Sequence, residues 1–175
     1  FSKLSEAYTK LNMIGVDNGI PVVRPEPNSD VFVMSEMWRW SPVLILQMDQ
    51  SYKLHISSKD VVHGFSIQPV NMNFQVYPGY DYVLEFKPTE AGEYKVICNE
   101  FCGIGHHTMI GKIVVIENEA DLKLYGYENL KKAPDQIPEK KDTPLSETEM
   151  ALLGEQVYTL KGCGACHKTD GSSQI

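Results

Sequence analysis

The strongest chemical signal in the chain lies in residues 98–109, where Cys98, Cys102, His106 and Met109 follow the pattern C-x-x-x-C-x-x-x-H-x-x-M. Two thiolates, an imidazole and a thioether form a soft donor set, which favours copper over magnesium, calcium or manganese. A blue-type copper takes one Cys, two His and a weak Met. The second Cys allows more, because two sulfurs can bridge two copper ions that share one oxidation change. With rigid ligands and no coordination position left open, such a site relays electrons and does not bind substrate. A second imidazole must come from elsewhere, and His63 is the best candidate, in the run D-V-x-H-G-F at 60–65. It sits at a strand–turn boundary, where it can point towards another loop. His55 reads as a strand surface residue, and His107, next to His106, should point elsewhere. Two Cys and two His also suit a structural zinc ion; the downstream Met109 and the all-β surroundings favour copper.

A separate set, Cys163, Cys166 and His167, forms C-x-x-C-H, the attachment signature of c-type haem. There, two thiols bond the porphyrin edges and the adjacent His binds iron. C-x-x-C alone also occurs in redox and zinc sites; the helix and linker in front of it favour haem. The chain ends at Ile175, before the further helices and sixth iron ligand of a cytochrome c domain, so 146–175 is expected to be the start of such a domain, cut short.

The elements that must position these residues are mostly strands. Runs at 31–34, 43–47, 52–56, 64–68, 74–76, 82–86, 92–97 and 111–116 are β-rich and separated by turn formers. Tyr52, Leu54 and Ile56 alternate with Lys53 and His55, as in a half-buried strand. About eight short strands in one span predict an all-β sandwich or barrel. The metal-binding pattern falls between two of them, a rigid place to mount ligands. Residues 1–29 read as a connector: a short helix over 4–13, then a loop rich in Gly, Asn, Asp and Pro. The β domain is expected at 30–118 and a linker at 119–145, with a short helix near 119–125 and then Lys, Glu, Asp, Gln and Pro. The run from Ser146 to Glu149 is a capping-box pattern, and Met150, Leu153, Val157 and Leu160 follow at helical spacing.

Bulk properties bound the partners. The 175 residues, 42% hydrophobic and 22% charged, suit one well-cored domain plus an appendage. A formal net charge of -7 argues against a nucleic-acid surface and permits a positively charged redox partner. The longest apolar runs, 43–46 and 113–116, are too short to cross a bilayer. The chain begins at Phe1 without a signal-peptide core, and is expected to start partway into a longer product.

With the upstream D-V-x-H-G-F, the C-x-x-x-C-x-x-x-H-x-x-M pattern resembles the copper A domain of cytochrome c oxidase subunit II, over roughly 30–117. It looks closest to the branch with ba3-type oxidases, and the haem motif behind it resembles a caa3-type subunit. The resemblance implies a cupredoxin fold, a Greek-key β-sandwich. It implies that Cys98 and Cys102 bridge a binuclear copper centre, with His63 and His106 each binding one ion. Met109 and the backbone carbonyl of Glu100 would be the weak ligands. In many members the carboxylate at the Glu100 position also reaches a magnesium ion at the interface with subunit I. The pair Trp38 and Trp40 lies where the family accepts electrons from cytochrome c, with Trp38 the first candidate and Trp40 the second. Here Ser35, Glu36 and Met37 replace the Gly-aromatic-Gln usual before that position, and alternate Trp residues on a strand also simply pack on one face. The implied function is electron transfer from a c-type cytochrome, its own fused one included, to the haem of subunit I, where dioxygen is reduced. None of these residues is a general acid, base or nucleophile. The resemblance also implies N-terminal transmembrane anchors and a place on the outer face of the bacterial cytoplasmic membrane. Rival readings are the copper A subunit of a nitric oxide reductase and a non-redox copper- or zinc-binding module. Nitrous oxide reductase fits less well, because its loop carries Trp where Glu100 stands.

Overall fold

From the N-terminus, helix α1 (Ser2–Asn12) leads into a hairpin of β1 (Met13–Asp17) and β2 (Ile20–Val23). The hairpin turn is Asn18 and Gly19, both at positive φ (48° and 80°), the pair whose backbone twist matches that of the flanking strands. Residues expected to form a loop are therefore sheet, because an Asn-Gly turn and the burial of Val22 and Val23 outweigh the local Gly and Pro. Then come β3 (Asp30–Glu36), β4 (Arg39–Ser41), β5 (Val43–Gln47), β6 (Tyr52–Ser58), β7 (His63–Ile67), β8 (Met72–Val76), β9 (Tyr82–Phe86), β10 (Gly92–Ile97) and β11 (Ile110–Ile116). A one-turn helix α2 (Asp121–Leu124) follows. This computed structural model describes residues 1–130, 146 and 151. The C-x-x-C-H set (Cys163, Cys166, His167) and the helix expected after Ser146 lie outside the described residues.

The strands form two sheets, one of seven in the order β1-β2-β5-β11-β10-β7-β8 and one of four in the order β4-β3-β6-β9. Pairing is antiparallel except at β2–β5, β5–β11 and β3–β6. Between the sheets lies one core: Val31, Val33, Tyr52, Leu54 and Ile56 from the smaller sheet, and Leu44, Leu46, Phe65, Ile67, Ile113 and Val115 from the larger. The expected β-sandwich is observed.

Two strands are apolar without alternation, VLIL in β5 and IVVI in β11, because both of their faces are covered. Leu44, Leu46, Ile113 and Val115 face the inner core. Val43, Ile45, Val114 and Ile116 join a second cluster with Val22 and Tyr127, packed against Leu122, Tyr125 and Leu130. The chain beyond β11 thus folds back over the outer face of the large sheet. Tyr127 is 4% exposed, and its hydroxyl donates to Asp17 at 2.6 Å. Residues 119–130, the first part of the expected linker, form a strap along this face, held also by the Arg24–Glu119 ion pair. Among the described residues, no helix is long and apolar enough to cross a membrane.

Candidate metal centre

Strands β10 and β11 are hydrogen-bonded neighbours whose ladder ends with Ile97 opposite Ile110. The connection between them is 98–109, a long loop for an antiparallel pair. Its base is closed by the Cys98 amide donating to the Met109 carbonyl at 3.1 Å. Inside, tight turns run from the His106 amide to Gly103 O and from the Thr108 amide to Gly105 O, both at 3.0 Å. The Thr108 hydroxyl adds a bond to Gly105 O at 2.8 Å. These bonds keep a twelve-residue loop in one shape and turn its donor side chains inward. Met109 is fully buried, and Cys98 and Cys102 are 4% and 6% exposed. Neighbours on the same loop face water, Phe101 at 78% and Ile104 at 53%.

Within this loop the donors line up in steps of one ligand–ligand spacing. Cys98 Sγ and Cys102 Sγ are 3.6 Å apart. Cys98 Sγ lies 3.8 Å from His63 Nδ1, and Cys102 Sγ lies 3.6 Å from His106 Nδ1 and 3.8 Å from Met109 Sδ. The Glu100 carbonyl is 3.2 Å from Cys98 Sγ. The Glu100 carboxylate turns the other way and accepts from Gln75 on β8. All six sequence-proposed donors therefore converge. His107 is exposed, and His55 is remote, bonded to Asp30 (3.0 Å) and Asp81 (2.9 Å).

His63 comes from the first position of β7, two strands from β11 across β10, and is fully buried. Its Nε2 is 2.8 Å from the Asp60 carboxylate. That partner fixes the proton on Nε2 and leaves the Nδ1 lone pair facing Cys98, the form a metal needs. Asp60 was not singled out as a functional residue in the sequence; its only signal is an acid three positions before a candidate ligand. Burial opposes its ionised form, yet the Met37 amide, His63 and the Val61 amide together hold its carboxyl below the usual range. Burial, then the adjacent Cys98, pushes the Cys102 thiol up to about 12. Without metal the thiol is neutral, so metal binding must displace its proton. Soft donors, four of them buried, with a correctly held imidazole tautomer fit copper.

The two Trp residues take different places. Trp38, in the β3–β4 turn, lies on the loop, and its Nε1 donates to the Cys102 carbonyl at 3.0 Å. A Cβ on Gly105 would come within 2.2 Å of this indole, so glycine is required for the approach. Trp40 is 2% exposed in the core, edge-on to His63 at 6.1 Å and to Phe65 at 5.1 Å. Among the described residues its buried Nε1 has no hydrogen-bond partner.

The fold and the donor cluster define a cupredoxin-like metal domain. Residues 8–118, more than half the chain, match the family described as cytochrome C oxidase subunit II, periplasmic domain, and the chain belongs to that family. It is 37% identical over 99 residues to cytochrome c oxidase subunit 2 of Thermus thermophilus, covering 55% of this chain and 73% of the relative. Against cytochrome c oxidase subunit 2 of Thermus thermophilus strain DSM 579 the identity and length are the same, and the match covers 58% of the relative. The chain thus spans only part of these relatives. The periplasmic domain of subunit II of cytochrome oxidase of Bradyrhizobium japonicum aligns with a TM-score of 0.50 at 17% identity, over 62% of this chain and 99% of that one, a likeness of fold.

Proposed function

We propose that this domain accepts electrons from a c-type cytochrome and passes them to the haem of subunit I of a haem–copper oxidase, where dioxygen is reduced. The observation that carries the reading is the pairing of donors: two buried thiols 3.6 Å apart, each with its own imidazole. Ligand atoms that share one tetrahedral ion, at about 2.0 Å for N and about 2.3 Å for S, stand about 3.3–3.8 Å apart. A single zinc ion would need all four atoms within that spacing. His63, Cys98 and Cys102 offer ligand atoms within 4.8 Å of one another, while His106 falls outside that triplet and is reached through Cys102. This supports a binuclear copper centre over one zinc ion.

In this reading Cys98, Cys102, His63 and His106 would hold the two ions, with Met109 and the Glu100 carbonyl as weaker donors. When bound, the pair supplies a reversible one-electron change shared over two ions. The chain's own part is to hold the donors still and keep water out. Electron uptake is assigned to Trp38, which joins the outer side of the loop to the Cys102 carbonyl, with Trp40 behind His63 as the second aromatic. Cys163, Cys166 and His167 are assigned to a covalent haem c, making the donor part of the same polypeptide. The outward-turned Glu100 carboxylate is assigned to a magnesium ion at the contact with subunit I. The family's periplasmic character supports a place on the outer face of the cytoplasmic membrane. Electron paramagnetic resonance of the oxidised, copper-loaded protein tests the central claim. One unpaired electron shared equally by two coppers is expected; a single-copper pattern, or silence with stoichiometric zinc, refutes it.

A further inference from the structure

Asp60 stands between two parts of the site that are far apart in sequence. It lies in the bend between β6 and β7. One oxygen, Oδ1, is bonded to His63 Nε2 at 2.8 Å and accepts the Val61 amide at 2.7 Å. The other, Oδ2, accepts the Met37 amide at 2.7 Å. Met37 immediately precedes Trp38, whose indole lies on the loop and donates to the Cys102 carbonyl at 3.0 Å. His63 in turn faces Cys98, and Cys98 faces Cys102. The contacts therefore close a ring: Asp60, His63, Cys98, Cys102, Trp38, Met37 and back to Asp60.

We propose that Asp60 is a positioning residue that ties the ligand His63 to the turn bearing Trp38, so that one carboxylate sets both the imidazole tautomer and the seat of the electron-accepting indole. The roles of His63 and Trp38 rest on the function proposed above; the tie between them is a property of the protein alone. A carboxylate suits it because both oxygens accept and neither donates. Bonds of this charge-assisted kind are short and about twice as strong as neutral ones. An amide cannot replace it: asparagine offers one acceptor oxygen and one donor nitrogen, so one of the two arms must face N–H against N–H.

The test is Asp60→Asn, nearly the same shape, read first without metal by nitrogen-15 NMR and amide hydrogen exchange. In the unmodified protein, His63 carries its proton on Nε2 and the Met37 amide is protected. In D60N, the His63 ring signals, the Met37 amide and the Trp38 indole N–H all change together, and Met37 exchange speeds by at least about tenfold. Copper affinity falls by about 10–100-fold, the usual loss when a partner of a ligating His is removed. A change at His63 with the Met37 amide and Trp38 indole unmoved overturns the tie. If D60N does not fold, the unmodified protein still decides: a His63 proton on Nδ1, or Met37 exchanging at the rate of a free peptide, overturns the proposal. The NMR and exchange readouts need no metal, so they can fail while the copper reading stands, and the reverse.

Discussion

Replacing Gly105 with alanine drives a methyl group into the indole of Trp38. The new Cβ would lie 2.2 Å from Cδ2 and 2.3 Å from Cε3, against an ordinary contact of 3.4 Å or more, so the ring or the loop must yield by about 1.2 Å. A shift of that size takes Trp38 Nε1 out of hydrogen-bond range of Cys102 O, now 3.0 Å away. Overpacking costs about 1–3 kcal/mol, and the lost bond adds about 0.5–1.5 kcal/mol. The backbone itself raises no objection, since Gly105 has φ -84°. In a Trp38→Ala background the same change should therefore be neutral or slightly stabilising. Urea unfolding of the four metal-free proteins gives the coupling, expected at about 2–4 kcal/mol. Additivity within about 0.5 kcal/mol would refute the packing of Trp38 on this loop. Copper-loaded G105A should keep its metal and accept electrons from a reduced c-type cytochrome more slowly.

Tyr127→Ala removes the large side chain from the outer cluster and should cost about 3–5 kcal/mol by urea unfolding. Tyr127→Phe should cost about 1 kcal/mol, since Asp17 keeps Lys112 at 3.2 Å; an alanine variant as stable as the parent means the 119–130 strap does not cover the sheet. His55 is partly buried, which lowers its pKa, but hydrogen bonds and charge from Asp81 and Asp30 outweigh this and hold it above 6.5. Its imidazolium therefore contributes stability that is full below pH 6.5 and is lost as pH rises through the folded pKa. Relative to His55→Gln, the parent should show its extra stability at about pH 5.5 and lose it by about pH 9; a constant difference across that range would sink the assignment.

The donor pattern was legible because metal ligation fixes residue types and spacing within a single hairpin loop, and because the loop is bounded by strands with clear β runs. His63 was legible for a related reason, as an imidazole at a strand start. What escaped were contacts made across the fold. Asp60 reads as a turn former beside Ser57, Ser58 and Lys59, yet its decisive partner, the Met37 amide, is 23 residues away. Strand β4 has three residues, too few for periodicity to show. The strap read as linker because Lys, Glu and Pro dominate its neighbourhood; Tyr127 and Leu130 are too sparse to signal a buried face, and Tyr127 reaches Asp17 across 110 residues. The β1–β2 hairpin was hidden by the Gly15, Asn18, Gly19 and Pro21 that the turn and the strand edge require.

The same arrangement explains why an exposed loop can hold ligands still. Its second end, Met109, runs directly into β11, a strand bonded on one side to β10 and on the other to β5 and covered on both faces. Its first end, Cys98, leaves β10, and His63 begins β7, the next strand along. His63, Cys98 and Met109 thus come from the ends of three adjacent strands whose register is fixed by the core, and moving any one of them means breaking sheet, while Cys102 and His106 are held by the turns inside the loop. Between them the loop presents two sides: Phe101 and Ile104 face solvent while Cys98, Cys102 and Met109 do not. Rigid donors and a solvent-facing outer surface are therefore compatible in one loop. Substitutions at Ile104 should leave the donor spacing as it is, whereas those at Phe101, whose ring lies 5.8 Å from the His106 imidazole, should disturb it.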